Sequence, residues 1–126
     1  MASKYHNEKV VVDGIKFDSK REAKRYQQLK LMEKAYDIVN LKRQVKYELI
    51  PAQYIDGKCV ERAMTYTSDF EYDVLKDLRQ KSVMVDPRAK TIGEHVVEDC
   101  PGHRTEVYKI KKKMMLYRYG IRITET

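Results

Sequence analysis

The sequence predicts a single α/β domain over residues 1–126, on three observations. Strand-like and helix-like patterns follow one another in the order hairpin, helix, three strands, helix and strand, without repeats or linkers. Hydrophobic residues make up 42% of the chain and charged residues 36%, the balance of a globular domain with a heavily ionised surface. The chain of 126 residues is also long enough to bury a hydrophobic core without disulfide support.

Membrane proteins and secreted disulfide-rich proteins are excluded by the composition. No apolar run approaches the roughly 20 residues that cross a bilayer, so no membrane partner is expected. Residues 1–9, MASKYHNEK, lack the apolar centre of a secretory signal. Cys59 and Cys100 are too few and too far apart to suggest a disulfide framework or a zinc site. The sequence therefore predicts a reduced protein of the cytoplasm.

The N-terminal third of the chain predicts a hairpin followed by a helix. Residues 9–17, KVVVDGIKF, place two β-prone runs around Asp13-Gly14, a pair preferred in tight turns that need positive φ. Residues 18–37 contain neither Pro nor Gly and predict a helix, and Ser19 followed by Glu22 is a capping-box pattern at its start. Helical spacing directs five apolar residues toward the core: Ala23, Tyr26, Leu29, Met32 and Tyr36.

The middle of the chain predicts three strands. They cover residues 41–50, which alternate apolar and charged side chains, residues 60–74, which are rich in Thr, Tyr and Val, and residues 95–99, HVVED. Asp56-Gly57 predicts a turn between the first two strands. Asp69 is expected inside the second strand rather than in a loop.

The C-terminal part predicts a helix and a short strand after a poorly patterned segment. Residues 75–94 carry little periodicity and predict an inserted loop. Residues 105–119 predict a helix that ends at Gly120, and residues 121–124, IRIT, predict the last strand. The helix is expected to face the core with four residues: Val107, Ile110, Met114 and Tyr117.

The net charge of +7, from 26 Lys and Arg against 19 Asp and Glu, predicts an anionic partner, of which nucleic acid is the commonest. The alternative is that the charge serves solubility. Two basic clusters are the candidate DNA-binding residues: Lys20, Arg21, Lys24 and Arg25 on the first helix, and Lys111, Lys112 and Lys113 on the second. A solvated helix face is the alternative for the second cluster, although its three consecutive lysines cover a wider arc than one stripe.

Two acidic positions are candidates for a metal site. A carboxylate in a half-buried strand, as predicted for Asp69, costs free energy unless it is paired or bound to metal. Side chains alternate along a strand, so only one of Glu98 and Asp99 can share a site with Asp69. We favour Asp99, although a register shift of one residue would exchange the two. Paired carboxylates on adjacent strands suit Mg²⁺, and structural ion pairs with the many basic residues are the alternative.

A family resemblance rests on an ordered set of motifs: KYHNEKVVVDGIKFDSKREAKRY, YTSDFEY, VVEDCPG, TEVYKIKKKMM and LYRYGI. Together they resemble a small family of phage-encoded proteins related to Holliday-junction resolvases, within the PD-(D/E)xK or restriction-endonuclease-like superfamily. The resemblance covers most of the chain except about residues 74–94. It implies a mixed central β-sheet flanked by helices, and hydrolysis of DNA phosphodiesters at branched DNA such as Holliday junctions in phage replication or recombination. It also implies Mg²⁺ or Mn²⁺ as cofactor, a homodimer matched to a symmetric substrate, and the host cytoplasm as location.

The resemblance also assigns site residues. It places the metal ligands of the superfamily on Glu22, Asp69 and Asp99, although Glu22 can equally close the capping box with Ser19. The lysine of the motif falls on Pro101, which has no charge to orient water or stabilise a transition state. Two basic residues of the following segment are expected to replace it: Lys109 or Arg104. A slow enzyme that relies on metal alone is a further possibility.

Two other functions are compatible with the same residues. A catalytically inactive DNA-binding or partner-binding protein on this scaffold predicts salt-sensitive DNA binding that is independent of Mg²⁺ and of Asp69. A phage protein that inhibits a host enzyme through surface charge predicts binding to a protein without preference for DNA. The sequence favours the nuclease because unpaired carboxylates beside phosphates bring no benefit to a protein that only binds.

Overall fold

The structure, a computed structural model, describes residues 9–77 and 90–126 and has the predicted α/β class. The described residues form two helices, α1 (Lys20–Lys34) and α2 (Glu106–Tyr119). The strands are β1 (Val10–Val12), β2 (Ile15–Phe17), β3 (Ile38–Arg43), β4 (Lys46–Ile50), β5 (Gln53–Ile55), β6 (Lys58–Glu61), β7 (Met64–Thr67), β8 (Phe70–Asp77), β9 (Lys90–Asp99) and β10 (Thr124–Glu125). No helix of the described residues is long and apolar enough to cross a membrane.

One mixed sheet has the strand order β10-β9-β8-β3, with β10 parallel to β9. Three further pairs are antiparallel: β1 with β2, β4 with β7, and β5 with β6. Within the described residues the chain divides into two compact units. The first unit comprises residues 9–41, 73–77 and 90–94, and the second comprises residues 42–72 and 95–126.

The first unit confirms the predicted hairpin and helix start. Asp13 and Gly14 have φ of 52° and 73°, the left-handed values that the turn between β1 and β2 requires. The Ser19 side chain accepts a hydrogen bond from the backbone N–H of Glu22 at 3.1 Å and caps α1. The helix ends earlier than predicted, at Lys34, because Tyr36 adopts a left-handed φ of 58° and is exposed rather than in the core.

Two of the three predicted strands are divided into shorter strands in the structure, so both of those predictions were wrong. Residues 41–50 contain the end of β3 and all of β4, separated at Gln44, where φ is 51°. Residues 60–74 contain the end of β6, all of β7 and the start of β8. The β7–β8 break occurs because the backbone N–H of Ser68 bonds to Val45 O at 2.9 Å, whereas that of Asp69 bonds to Glu98 O at 3.1 Å. The chain thus changes its pairing partner at residues 68–69.

The predicted loop at residues 75–94 is also only partly correct. Strand β8 continues to Asp77, and β9 begins at Lys90 rather than at His95. Residues 78–89, the remainder of that prediction, lie outside the described residues. The missing pattern at the start of β9 follows from its exposure, since an exposed strand lacks the apolar alternation that marks a half-buried one.

Helix α2 has the predicted ends but packs on a different face. Thr105 caps its start, and Gly120, with φ of 67°, ends it. Of the four residues predicted to face the core, Met114 packs against it, whereas the prediction was wrong for Val107, Ile110 and Tyr117, which are 58%, 52% and 93% exposed. The face that packs carries Met115, which is completely buried in a core with four residues from other elements of the second unit: Leu49, Tyr66, Val97 and Ile123.

A carboxylate pair beside a basic helix

The carboxyl groups of Asp69 and Asp99 lie together in the second unit, because both accept a hydrogen bond from one backbone N–H, that of Cys100. Asp69 lies at the change of pairing partner before β8, and Asp99 is the last residue of β9. The backbone N–H of Cys100 donates to Oδ2 of Asp69 at 2.7 Å and to Oδ1 of Asp99 at 3.1 Å. One amide therefore holds an oxygen of each carboxyl group and fixes their separation.

The hydroxyl of Tyr66 orients the second oxygen of Asp99. It donates a hydrogen bond to Asp99 Oδ2 at 3.1 Å from a buried position on β7. Burial and the charge of Asp99 raise the pKa of Tyr66 far above its ordinary value, so the hydroxyl keeps its proton and remains a donor. Both oxygens of Asp99 are thus held by groups of the protein, which restricts the rotation of this carboxyl group.

The carboxyl group of Asp99 does not ionise easily. Burial, together with the neighbouring carboxyl group of Asp69, raises the pKa of Asp99 from 3.8 to about 8. The donors Tyr66 and Cys100 oppose this shift by favouring the charged form, but they do not cancel it. At neutral pH Asp99 therefore retains its proton, and a cation that displaces this proton would stabilise the charged form.

The neighbouring acids Glu98 and Glu71 are buried away from this pair. Glu98 is completely buried and accepts a hydrogen bond from the Tyr72 hydroxyl. Glu71 accepts one from the Tyr47 hydroxyl, and its Oε1 lies 3.2 Å from Nε2 of His95. Side chains alternate along β9, so Glu98 lies on the face opposite to Asp99. Asp99, rather than Glu98, is therefore the residue of β9 that meets Asp69.

A cleft of about 390 Å³ opens beside Asp99. It is lined by residues of β7, the end of β9 and the first turns of α2: Thr65, Tyr66, Thr67, Asp99, Thr105, Val107, Tyr108 and Lys111. Lys111 is the basic residue of this lining, and Asp99 is the acidic one. The cleft therefore presents one carboxyl group of the pair and one cation to the same volume, with hydroxyl groups around them.

The two residues expected to replace the motif lysine have other partners. Lys109 Nζ lies 3.2 Å from Glu106 Oε1, one turn earlier on the exposed side of α2. Arg104 Nε lies 2.8 Å from Oε2 of Glu125 on β10. Neither side chain lines the cleft beside Asp99.

Glu125 collects three donors from this region. Lys112 Nζ lies 2.8 Å from its Oε1, and Arg104 and the Tyr108 hydroxyl reach its Oε2 at 2.8 and 3.0 Å. The hydrogen bond from Lys112, reinforced by those from Arg104 and Tyr108, lowers the pKa of Glu125 to about 2. The first turns of α2 are thereby tied to β10.

A second cavity, the basic groove, has a volume of about 420 Å³ and is lined by Glu106, Lys109, Ile110, Lys112, Lys113, Leu116, Arg122 and Ile123. Four of these eight residues are cationic and one is acidic. The three consecutive lysines of α2 therefore have different surroundings, because Lys111 lines the cleft whereas Lys112 and Lys113 line the groove. Such a groove can accept a polyanion.

Glu22 and the first basic cluster belong to the first unit. Glu22 is buried on α1, and its backbone N–H supports the Ser19 cap. Lys20, Arg21 and Lys24 are exposed, whereas Arg25 is half-buried and donates to Gln28 Oε1 at 3.2 Å. Their predicted roles, a metal ligand for Glu22 and DNA contacts for the cluster, stay predictions.

The Asp69–Asp99 pair fits a divalent cation in its chemistry. Mg²⁺ takes hard oxygen ligands, and it often uses one or two carboxylates together with waters and phosphate oxygens. Burial first, and then the neighbouring Asp69, raise the pKa of Asp99, so a cation bound at this position would favour its charged form. Across residues 9–77 and 90–126, no group of three or more His, Cys, Asp or Glu residues is arranged to hold a metal ion. The pair therefore fits a cation that is held by two carboxylates and that takes its remaining ligands from water molecules or phosphate oxygens.

The residues that hold the carboxyl pair in place were not predicted from the sequence. Tyr66 and the Cys100 N–H contact Asp99 and Asp69, yet Tyr66 and Asp99 are 33 positions apart in sequence. No local pattern reveals such a contact. The inward position of Tyr66 on β7 was the available signal, because a buried tyrosine needs an acceptor for its hydroxyl.

Comparison with known proteins gives one match. No curated protein and no solved structure matches the chain. A family described as "Protein of unknown function (DUF1064)" matches residues 2–124, nearly the whole chain, and the chain therefore belongs to this family.

Proposed function

We propose that the chain is a Mg²⁺- or Mn²⁺-dependent endonuclease that hydrolyses phosphodiester bonds of branched DNA. One observation carries the proposal: the Cys100 N–H holds the carboxyl groups of Asp69 and Asp99 together, and Asp99 lines a cleft that also contains Lys111. Fixed carboxylate oxygens beside a cation are the groups that hydrolysis of a phosphodiester needs. The resemblance to resolvase-like phage proteins supplies the substrate class.

The protein's own residues would bind and orient the reacting groups. A divalent cation, when bound, supplies activation of water and stabilises negative charge on the phosphate. Asp69 and Asp99 would hold that cation, and the Cys100 N–H and Tyr66 hydroxyl keep their oxygens in position. Because these donors are fixed before binding, little reorganisation is needed when charge develops.

The basic surfaces would position the DNA. The groove lined by Lys113 and Arg122 lies along α2, the helix that also lines the cleft. Phosphate contacts of this kind set orientation without reading sequence, which suits an enzyme that selects DNA by shape. A four-way junction has two-fold symmetry, so paired cuts require two copies of the chain, and we include a homodimer in the proposal.

Cation binding should become tighter as the pH rises toward about 8. A cation at the pair displaces the proton of Asp99, whose pKa is about 8. Below that pH each bound cation releases about one proton, so the apparent affinity should increase about tenfold per pH unit. Titration of Mn²⁺ against the melting temperature at about pH 6, 7 and 8, without DNA, measures this dependence.

Two variants control that titration. Asp99→Asn removes both the titrating group and a ligand, so the stabilisation by Mn²⁺ should disappear at every pH. Glu61→Gln removes an exposed acid of β6 and should leave the wild-type response. Equal stabilisation of the wild type and Asp99→Asn would place the cation elsewhere and contradict the assignment.

Pro101 supports a second candidate function, a DNA-binding protein that has lost catalysis. It occupies the position of the motif lysine directly after Cys100, and proline can supply neither charge nor proton. The two candidates differ in a single assay. A nuclease cuts a labelled four-way junction in Mg²⁺ or Mn²⁺ and loses this activity in Asp69→Ala, whereas the inactive protein binds the junction equally well with or without the cation.

A further inference from the structure

Helix α2 carries lysines that can replace the cation that Pro101 cannot provide. The role inferred for one of them below rests on the proposed function. The helix carries four lysines near the cleft: Lys109, Lys111, Lys112 and Lys113. Because successive residues of a helix point about 100° apart, these lysines cannot serve one role together. Their surroundings decide which of them can reach a phosphate beside Asp99.

Lys111 lies on the side of α2 that packs against the protein. It follows Tyr108 by three positions and precedes Met115 by four, the spacing that puts residues on one helix face. Met115 is completely buried, and the Tyr108 hydroxyl donates to Glu125. The backbone thus directs Lys111 inward, and its flexible stem allows the ammonium group to remain in the open cleft.

The other three lysines are occupied or directed elsewhere. Lys109 pairs with Glu106, and Lys112 pairs with Glu125. Lys113 is exposed and lines the basic groove. Lys111 has no hydrogen-bond or ion-pair partner among residues 9–77 and 90–126, and it lines the cleft together with Asp99. An unpaired ammonium group beside a carboxyl pair is available to an anionic ligand.

We propose that Lys111 is the catalytic cation that contacts the phosphate under attack, in place of the lysine that the motif would have at Pro101. In the reaction a water oxygen bonds to phosphorus, the bond from phosphorus to the leaving sugar oxygen breaks, and one proton of that water ends on the leaving oxygen. Lys111 keeps its proton throughout. Its ammonium group donates a hydrogen bond to a non-bridging phosphate oxygen and stabilises the charge that develops there.

Replacement of Lys111 by methionine tests this assignment. Lys111→Met keeps the length of the side chain and the helix propensity but removes the charge. Cleavage of a labelled four-way junction in Mn²⁺ should fall by about 10²-fold or more. Binding of the same junction in Ca²⁺, measured by fluorescence anisotropy, should weaken by less than about fivefold, because Lys111 makes one of several phosphate contacts. The melting-temperature increase with Mn²⁺ should remain.

Two further variants make the result specific. Lys58→Met removes an exposed lysine of β6 and should leave cleavage within about threefold of the wild type. The double variant Lys111→Met with Pro101→Lys returns a lysine to the motif position and should recover at least about tenfold of the lost activity. Recovery from a different backbone position is an outcome that a structural role for Lys111 does not predict.

The outcomes separate this inference from the proposed function. If the wild type cleaves the junction and Lys111→Met cleaves within about threefold of it, Lys111 is not catalytic although the nuclease assignment stands. If Lys111→Met also loses the Mn²⁺ effect on melting temperature or its junction binding, the residue acts in folding or binding, and the catalytic role is overturned. If the wild type binds the junction but cleaves nothing in either cation, both proposals are overturned.

Discussion

Asp99→Asn should abolish metal-dependent cleavage, by about 10³-fold or more, and at the same time stabilise the metal-free protein at high pH. The first effect follows because asparagine has a neutral oxygen in place of a charged ligand. The second follows from the pKa of Asp99, which is raised from 3.8 in the unfolded chain to about 8 in the folded protein.

The raised pKa of Asp99 determines how the stability of the metal-free protein changes with pH. A raised pKa means that the folded protein holds the proton more strongly, so this stabilisation is complete below about pH 4 and is lost as the pH rises through about 8. Asparagine does not titrate and loses nothing. Chemical denaturation in EDTA should therefore give an increasing advantage to Asp99→Asn between about pH 6 and 9.

The matched control for this comparison is the exposed substitution Glu61→Gln, which should show no pH-dependent difference from the wild type over the same range. If the free energy of unfolding of Asp99→Asn changes with pH in parallel with that of the wild type, Asp99 ionises in the folded protein at no cost in stability. That outcome would remove the physical basis for a cation at the pair.

Met115→Ala should destabilise the second unit by roughly 2–5 kcal/mol. The side chain is completely buried among Leu49, Tyr66, Val97 and Ile123, so truncation leaves a cavity in addition to the lost burial of apolar surface. This is a large fraction of the typical stability of a small domain. Because Tyr66 is part of the same core and holds Asp99, the loss should also loosen the carboxyl pair.

Val107→Ala is the matched substitution on the same helix. Val107 is more than half exposed, so its truncation should change the free energy of unfolding by no more than about 0.5 kcal/mol. Urea denaturation of both variants measures the difference. A larger effect at Val107 than at Met115 would mean that the helix packs on the face the sequence predicted.

Elements defined by local chemistry could be predicted from the sequence. The turn at Asp13-Gly14 requires positive φ, which glycine and aspartate tolerate. The start of α1 depends on the hydroxyl of Ser19, and the end of α2 depends on the left-handed conformation of Gly120. Each of these signals lies within a few residues of the feature that it specifies, so no knowledge of the tertiary structure was needed.

Features that depend on distant partners could not be predicted. The break between β7 and β8 exists because Ser68 and Asp69 bond to different segments, those of Val45 and Glu98. The sequence of residues 60–74 contains no local sign of that change in pairing partner. Asp69 consequently lies at a junction of strands rather than within one, although the alternation along β9 correctly separates Glu98 from Asp99.

The packing face of α2 was mispredicted for a related reason. Hydrophobic periodicity selected Val107 and Ile110, whereas Tyr108 and Met115 pack against the core and the half-buried Lys111 lies between them on the helix. A lysine on this face contradicts the simple hydrophobic pattern, and its flexible stem allows the ammonium group to remain in the open cleft. A local departure from the hydrophobic pattern is where a functional residue is expected.

Cleavage of a labelled four-way junction tests the proposed nuclease activity most directly. A matched linear duplex and the Asp69→Ala variant complete the assay, each in Mg²⁺, in Mn²⁺ and in EDTA. We expect cleavage of the junction by the wild type with either cation, weaker cleavage of the duplex, and loss of activity in EDTA and in Asp69→Ala. Tight binding of the junction without cleavage in either cation would contradict it and would identify the chain as a DNA-binding protein.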